Sequence, residues 1–232
     1  QLSIAIFFAG NVLYINQALH KTFYSGYKPV SADEEERIIE FSPNSYRLRQ
    51  NISHIIETFM QMPEIVDEIT LRLNLDSQFY RRYRSADGTD RFVKVMMGDL
   101  EYFEFLKIPH HGDMIHTEDA VFVSEKFMKQ LEKDCIFGSV VIGDKTYRIA
   151  GSYKALYGEN EDDNRSVGSV FVPEKSFGNF YFKVAYGKDV DEVIGKMNDI
   201  CREYVPSSLP LNIKSITDRK QTLLGTVGLV GV

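Results

Sequence analysis

The 232 residues carry 27 Lys/Arg against 33 Asp/Glu, a formal net charge of −6. No Lys/Arg cluster interleaves with aromatics, so a nucleic-acid binder, which needs a basic face, is excluded. With 44% apolar and 26% charged residues the composition is that of a folded chain, long enough for one large domain or two small ones sharing a sheet.

The chain opens on Gln1–Ile15, QLSIAIFFAGNVLYI, an almost unbroken apolar run. It has no Lys/Arg before it and no small-residue cleavage site after it, so it does not read as a signal peptide. At about 1.5 Å per residue it covers only part of a bilayer core of roughly 30 Å. Thr222–Val232, TLLGTVGLVGV, mirrors it at the far end. Two apolar, Gly-containing half-segments around a polar middle read as the inner ends of two membrane spans. The alternative is a pair of terminal helices packed on the domain's own core. Asn16–Tyr24 continues the first run as a stalk, which Gly26 and Pro29 break.

Beyond the acidic run Asp33–Glu36 lies a short strand, Arg37–Ser42. Leu48, Ile52, Ile55, Ile56 and Phe59 then recur as one stripe of a helix that Pro63 ends. Ile69, Leu71, Leu73 and Leu75 alternate with Thr70, Arg72 and Asn74, the pattern of a strand with one buried face. This is a strand–helix–strand unit, with a helix long enough for a parallel crossover. Gln78–Arg84 and Arg91–Met97 form a hairpin through the Asp87-Gly88 turn, and the densest basic group, Arg81, Arg82 and Arg84, falls in its first strand. Asp99–Ile108, DLEYFEFLKI, is a short aromatic helix that plugs the core, and His110–Thr117 a loop. Ala120–Val123 is a buried strand, and Ser124 caps a helix carrying Phe127, Met128 and Leu131. A hairpin around Gly143-Asp144 joins Ser139–Ile142 to Tyr147–Ser152. The polar loop Tyr157–Ser166 precedes the strand Ser169–Val172.

The last piece repeats the first: strand Phe180–Tyr186, N-cap Asp189 with Glu192 at the capping-box position, a helix with Val190, Val193, Ile194, Met197, Ile200 and Cys201 on one face, and strand Leu211–Ile216. The fold class is therefore α+β with α/β-like units. One subdomain is assembled from both ends (25–97 and 177–217), a β-rich subdomain (98–176) is inserted in it, and the flanks 1–24 and 218–232 belong to the spans.

Candidate chemistry is sparse. His110, His111, Asp113 and His116 put three imidazoles and a carboxylate within seven residues, donors that suit Zn²⁺. Structural zinc sites seldom draw every ligand from so short a loop, so the competing reading is an exposed polar loop. Glu159, Glu161, Asp162 and Asp163 suggest calcium but lack the twelve-residue loop pattern, and read as a solvated loop. Cys135 and Cys201 have neither metal spacing nor a CxxC pair; Cys201, on a helix's apolar face, reads as a buried thiol, with its pairing open. Asn51-Ile52-Ser53 and Asn164-Arg165-Ser166 are formal glycosylation sequons, and His54 sits on the polar side of its helix. No GxSxG, HExxH, Walker A or GxGxxG occurs, so the expectation is a protein without catalytic residues or cofactor.

From Asp99 onward the order of motifs resembles that of a known family. DLEYFEFLKI resembles the N-Y-F-x-F element in the extracytoplasmic core domain of MacB/FtsX-like ABC transporter permeases. AVFVSEKFMKQL is similar to the strand–helix that follows there, and Phe137-Gly138 with KTYRIAGSYKAL stands where the family has a hairpin and a V-V-G-V segment. SVFVP matches the return strand, and YFKVAYGKDVDEVIGKMNDI the strand and helix that open on an acidic N-cap. Ala150-Gly151-Ser152 departs from V-G-V, and Tyr153-Lys154-Ala155 stands where an acidic residue is frequent.

The resemblance implies a four-span permease whose extracytoplasmic domain lies between spans one and two, with a "porter" part and a β-rich insertion. It implies a cytoplasmic ATP-binding subunit, a second permease copy and a periplasmic adaptor or lipoprotein as partners, and nucleotide-driven motion passed through stalk helices. Two rivals stand beside it. One is an extracytoplasmic sensor domain of a two-span receptor, expected to hold a closed ligand pocket in a single contiguous sheet. The other is a soluble metal hydrolase using the His110–His116 loop.

Overall fold

The computed structural model describes residues 26–72, 75, 79–112, 117, 119–160, 163–174 and 178–218. The flanking apolar runs lie outside these residues. Among the described residues no helix is long and apolar enough to cross a membrane.

After the one-turn helix α1 (Ala32–Glu36), held by a Ser31–Glu34 capping box, comes strand β1 (Ile38–Phe41). The helix expected around Leu48–Phe59 is two helices, α2 (Tyr46–Gln50) and α3 (Ile52–Met60). Asn51 divides them, because its side chain bonds back to the Arg47 carbonyl at 2.8 Å and so competes with the helical pattern. Strand β2 (Ile65–Leu71) begins earlier than its alternation suggests, with Ile69 and Leu71 facing inward as expected.

β10 (Asn179–Val184), α6 (Val190–Arg202) and β11 (Ile213–Ser215) complete this half. The local strand order is β11-β1-β10-β2 with every neighbour antiparallel. Each strand–helix–strand unit is therefore split: β10 lies between β1 and β2, and β1 between β10 and β11. The two units interleave into a four-stranded sheet of ferredoxin-like topology. Helices α3 and α6 cover one face, where Phe41, Phe59, Phe182, Val193 and Met197 form a closed core.

The chain between β2 and β10 builds the rest. β3 (Phe79–Arg84) and β4 (Asp90–Gly98) form the expected hairpin, followed by α4 (Tyr102–Phe105), β5 (His110–Gly112), β6 (Ala120–Ser124), α5 (Glu125–Lys133), β7 (Ser139–Ile142), β8 (Lys145–Tyr153) and β9 (Ser169–Pro173). β4 pairs with β9, and β9 leads through β6 to β8. β3 lies on the free edge of β4 and β7 on that of β8. The Gly143 amide donates to the Arg82 carbonyl at 2.7 Å, which closes the β3 and β7 sides around Phe127 and Leu131 of α5.

A narrow neck joins the two halves. β2 meets β4 at one registered pair, Leu71 with Gly98. A Cβ at Gly98 would crowd Leu71, and one at Gly178 would overlap the Leu71 carbonyl, so both positions need glycine for the backbones to come this close. The opposite face is not divided: one core runs from Ile38, Ile69 and Tyr181 to Phe122, Tyr153 and Phe171. Helix α4 plugs it, as expected, with Phe103 against Phe122, Tyr153 and Phe171 at ring distances of 5.6, 5.2 and 4.9 Å. The described residues form an α+β fold on one mixed sheet of eleven strands.

Candidate functional site

The first three residues of the histidine segment are not the loop expected from sequence. His110–Gly112 form the edge strand β5, antiparallel to β8 through His110–Tyr153 and His111–Ser152. Gly151 permits the pairing, since a Cβ there would overlap the His111 carbonyl. Neighbours along a strand project to opposite faces. His110 packs on Phe103 at 5.4 Å with Nδ1 3.0 Å from the Ile108 carbonyl, while His111 is exposed, so the two imidazoles do not converge. Asp113 and His116 lie outside the described residues, and among the described residues no group of three His, Cys, Asp or Glu could hold a metal ion.

The acidic loop corrects a second expectation. Glu159 is 3% exposed rather than solvated. Its Oε2 accepts from the Ser169 hydroxyl at 2.6 Å and from the Leu156 amide at 2.9 Å. Tyr153 donates to Ser169 Oγ at 2.9 Å, and Tyr102 accepts from the Tyr157 amide at 2.9 Å. Burial first, and the Glu159 charge second, push both phenols well above their usual range. Asp163 is half-buried, with its carboxylate 3.3 Å from the ammonium of Lys94, a strand residue only 5% exposed. Burial alone would raise its carboxyl, but Arg165 and Lys94 outweigh that and hold it well below the carboxylate range. Glu161 and Asp162 lie outside the described residues. Glu159 and Asp163 thus pin the loop down on the sheet, and no sequence signal marked which acids of the run would be buried.

Against this loop lies the first described stretch of the chain. The Tyr27 amide donates to the Glu159 carbonyl at 2.8 Å, and the Gly158 amide returns a bond of 2.8 Å to Tyr27. Gly26 touches Gly158 so closely that a Cβ would meet its carbonyl oxygen at 2.5 Å. Lys154 lies 5.2 Å from the Tyr27 ring centre, and Glu34 is bonded to Lys107.

Two further polar features stand out. Asp134, at the end of α5, accepts from Tyr83 at 2.5 Å, Ser85 at 2.6 Å, Gln130 at 2.9 Å and the Ala86 amide at 3.2 Å. Burial opposes ionisation there, but these four donors outweigh it and keep the carboxyl well below its ordinary value. At the neck, an open groove of about 710 Å³ runs between α2 and the Arg72 and Gly178–Asn179 segments. Among the described residues, Arg49 and Arg72 contribute its charges, and Arg72 is bonded to Glu174 at 3.4 Å. Cys135 and Cys201 are both free, the latter buried, as read from its helix face.

No family model matches the chain, and no curated protein matches it. Among solved structures, the chain is similar to the periplasmic region of MacB from Actinobacillus actinomycetemcomitans at 13% identity and a TM-score of 0.53, over 85% of this chain and 98% of that one. The extracellular domain of the noncanonic ABC-type transporter YknZ from Gram-positive bacteria matches at 12% identity and a TM-score of 0.49, over 77% and 99%. The fold is that of the MacB periplasmic region.

Proposed function

We propose that this chain is the extracytoplasmic domain of a MacB/FtsX-like ABC transporter permease, working by contact and movement and not as an enzyme. The observation that carries the reading is the shared fold, which takes in nearly the whole MacB periplasmic region. A feature of this chain supports it. The register Ile39–Ser215 sets the start of β1 beside the end of β11, so the chain enters and leaves this sheet at the same end. That is the arrangement a domain held between two membrane spans requires.

In this reading residues 1–24 and 218–232 belong to the spans, and the two interleaved units form the porter-like part. The partners are a cytoplasmic ATP-binding subunit, a second permease copy and a periplasmic adaptor or lipoprotein. The domain would pass nucleotide-driven movement outward. A sensor domain would share the continuous sheet, but the groove at the neck is open to solvent, and the sensor reading is not adopted.

The test is made on the full gene product in cells. Single cysteines at Asp33 and Asp218, in a Cys135→Ser background, should both react with an impermeant reagent added outside. An ATPase should co-purify with the membrane-extracted protein. Labelling from the cytoplasmic side alone would overturn the proposal, and external labelling without any ATPase would favour the sensor.

A further inference from the structure

The strap formed by Gly26–Lys28 grips the inserted half before the chain enters the porter-like sheet at Ile38. From it a line of hydrogen bonds runs inward, buried from the Glu159 carboxylate onward. The Tyr27 amide binds the Glu159 carbonyl, and the Glu159 carboxylate holds the Ser169 hydroxyl at 2.6 Å. The Ser169 amide donates to Ser124 Oγ at 2.8 Å, and the same oxygen accepts from the Phe127 amide at 3.3 Å as the N-cap of α5. Gly168 fits into this junction with φ of +134°, where a Cβ would press on the Phe127 amide nitrogen and the Ser124 hydroxyl. Each link is a fixed donor–acceptor pair in a low-dielectric interior, where such bonds are strong and costly to leave unmade.

We propose that the strap is a mechanical input: a displacement of residues 26–28 reaches helix α5, at the centre of the inserted half, directly through Glu159, Ser169 and Ser124. The porter-like sheet is then a second route and not the sole one. The loop 157–159 is the point where the input is received, which accounts for a buried carboxylate in a surface connection. Naming the strap an input rests on the membrane attachment of residues 1–24 proposed above. The coupling itself does not, and the experiment below reads only the coupling.

A contiguous set of contacts becomes a pathway only when coupling along it is measured. Residue-resolved amide exchange on this chain supplies that measurement. Tyr27→Pro removes the amide that donates to Glu159. Exchange at Leu156, Ser169 and Phe127 is expected to rise at least about tenfold, because their amides donate to members of the line. Ile39 and Phe182 in the porter-like sheet should stay unchanged. Lys154→Ala, which only removes the cation beside the Tyr27 ring, should give the same pattern at lower amplitude, and it decides the matter if Tyr27→Pro does not fold. In a Ser169→Ala background the line is cut, and Lys154→Ala should then no longer move Phe127. A response confined to Gly158 and Glu159 would overturn the proposal. So would equal acceleration in both halves, or a Phe127 response that survives Ser169→Ala.

Discussion

Phe59 is the side chain on which the first packed layer turns. It is fully buried and lies edge-on to two rings, Phe41 at 5.5 Å and 71° and Phe182 at 5.4 Å and 86°. Phe59→Ala empties a filled site, which costs about 3–5 kcal/mol. Each edge-to-face pair contributes roughly 0.5–1.5 kcal/mol beyond burial, so the upper end, about 4–5 kcal/mol, is expected. Urea unfolding of the described domain measures it: the midpoint should fall with the slope unchanged. In a chain of this size each kcal/mol moves the thermal midpoint by about 2–4 °C, giving a drop of about 8–20 °C. Phe59→Leu, nearer in volume, should cost less than about 1.5 kcal/mol. A loss below about 1 kcal/mol for Phe59→Ala would refute the placement of this stripe against the sheet.

Three further outcomes are expected. Lys94→Met removes one of the two cations on Asp163 and leaves Arg165 bonded to it, so it should cost about 1.5–3 kcal/mol in urea unfolding. Lys94→Met with Asp163→Asn in the same chain should cost less than the two single changes added together, and additive losses would count against the pair. The Asp134 carboxyl is depressed in the folded state, so its stabilisation is present above the ordinary carboxylate pKa and is lost as pH falls through that value toward the folded one. Acid unfolding of Asp134→Asn should therefore show a shallower pH dependence below about pH 4 than the parent, and an unchanged slope would contradict the four-donor geometry. Burial pushes the Cys201 thiol up to about 12 while Cys135 is exposed, so a thiol reagent at neutral pH should modify Cys135 at once and Cys201 only on unfolding.

What could be read from the residues follows the range over which each signal acts. Periodicity within a segment located the Phe59 stripe, the Val193–Cys201 face of α6 and the aromatic plug Tyr102–Phe105, because burial on one face is written in local spacing. Pairing between distant segments left no such mark. Nothing near β1 announces that β10 will lie between it and β2, and nothing in Gln78–Met97 announces that the hairpin will pair onward to β9. The acidic loop misled for a related reason. Composition marks a run of Glu and Asp as solvated, whereas the fate of Glu159 and Asp163 depends on Ser169 and Lys94 arriving from other strands. His110 and His111 likewise read as a loop because a three-residue edge strand is too short to show alternation. Asn51 was visible throughout, but its competition with the helix was outweighed by the stripe around it.

The shared end at which the chain enters β1 and leaves β11 bears on how the fold takes load. β1 and β11 are antiparallel neighbours, about 4.8 Å apart, with hydrogen bonds lying across the strands. Pulling both flanks together toward one side moves the pair as a unit and leaves those bonds unstrained. Spreading the flanks sideways loads the bonds one after another from the open end, as in parting a zipper. Three registered pairs join the two strands, from Ile39–Ser215 to Phe41–Ile213, flanked by the Ser215 hydroxyl on the Glu36 carbonyl and the Ser42 amide on the Asn212 carbonyl. The same junction is therefore stiff to an axial stroke and weak to separation of its two supports.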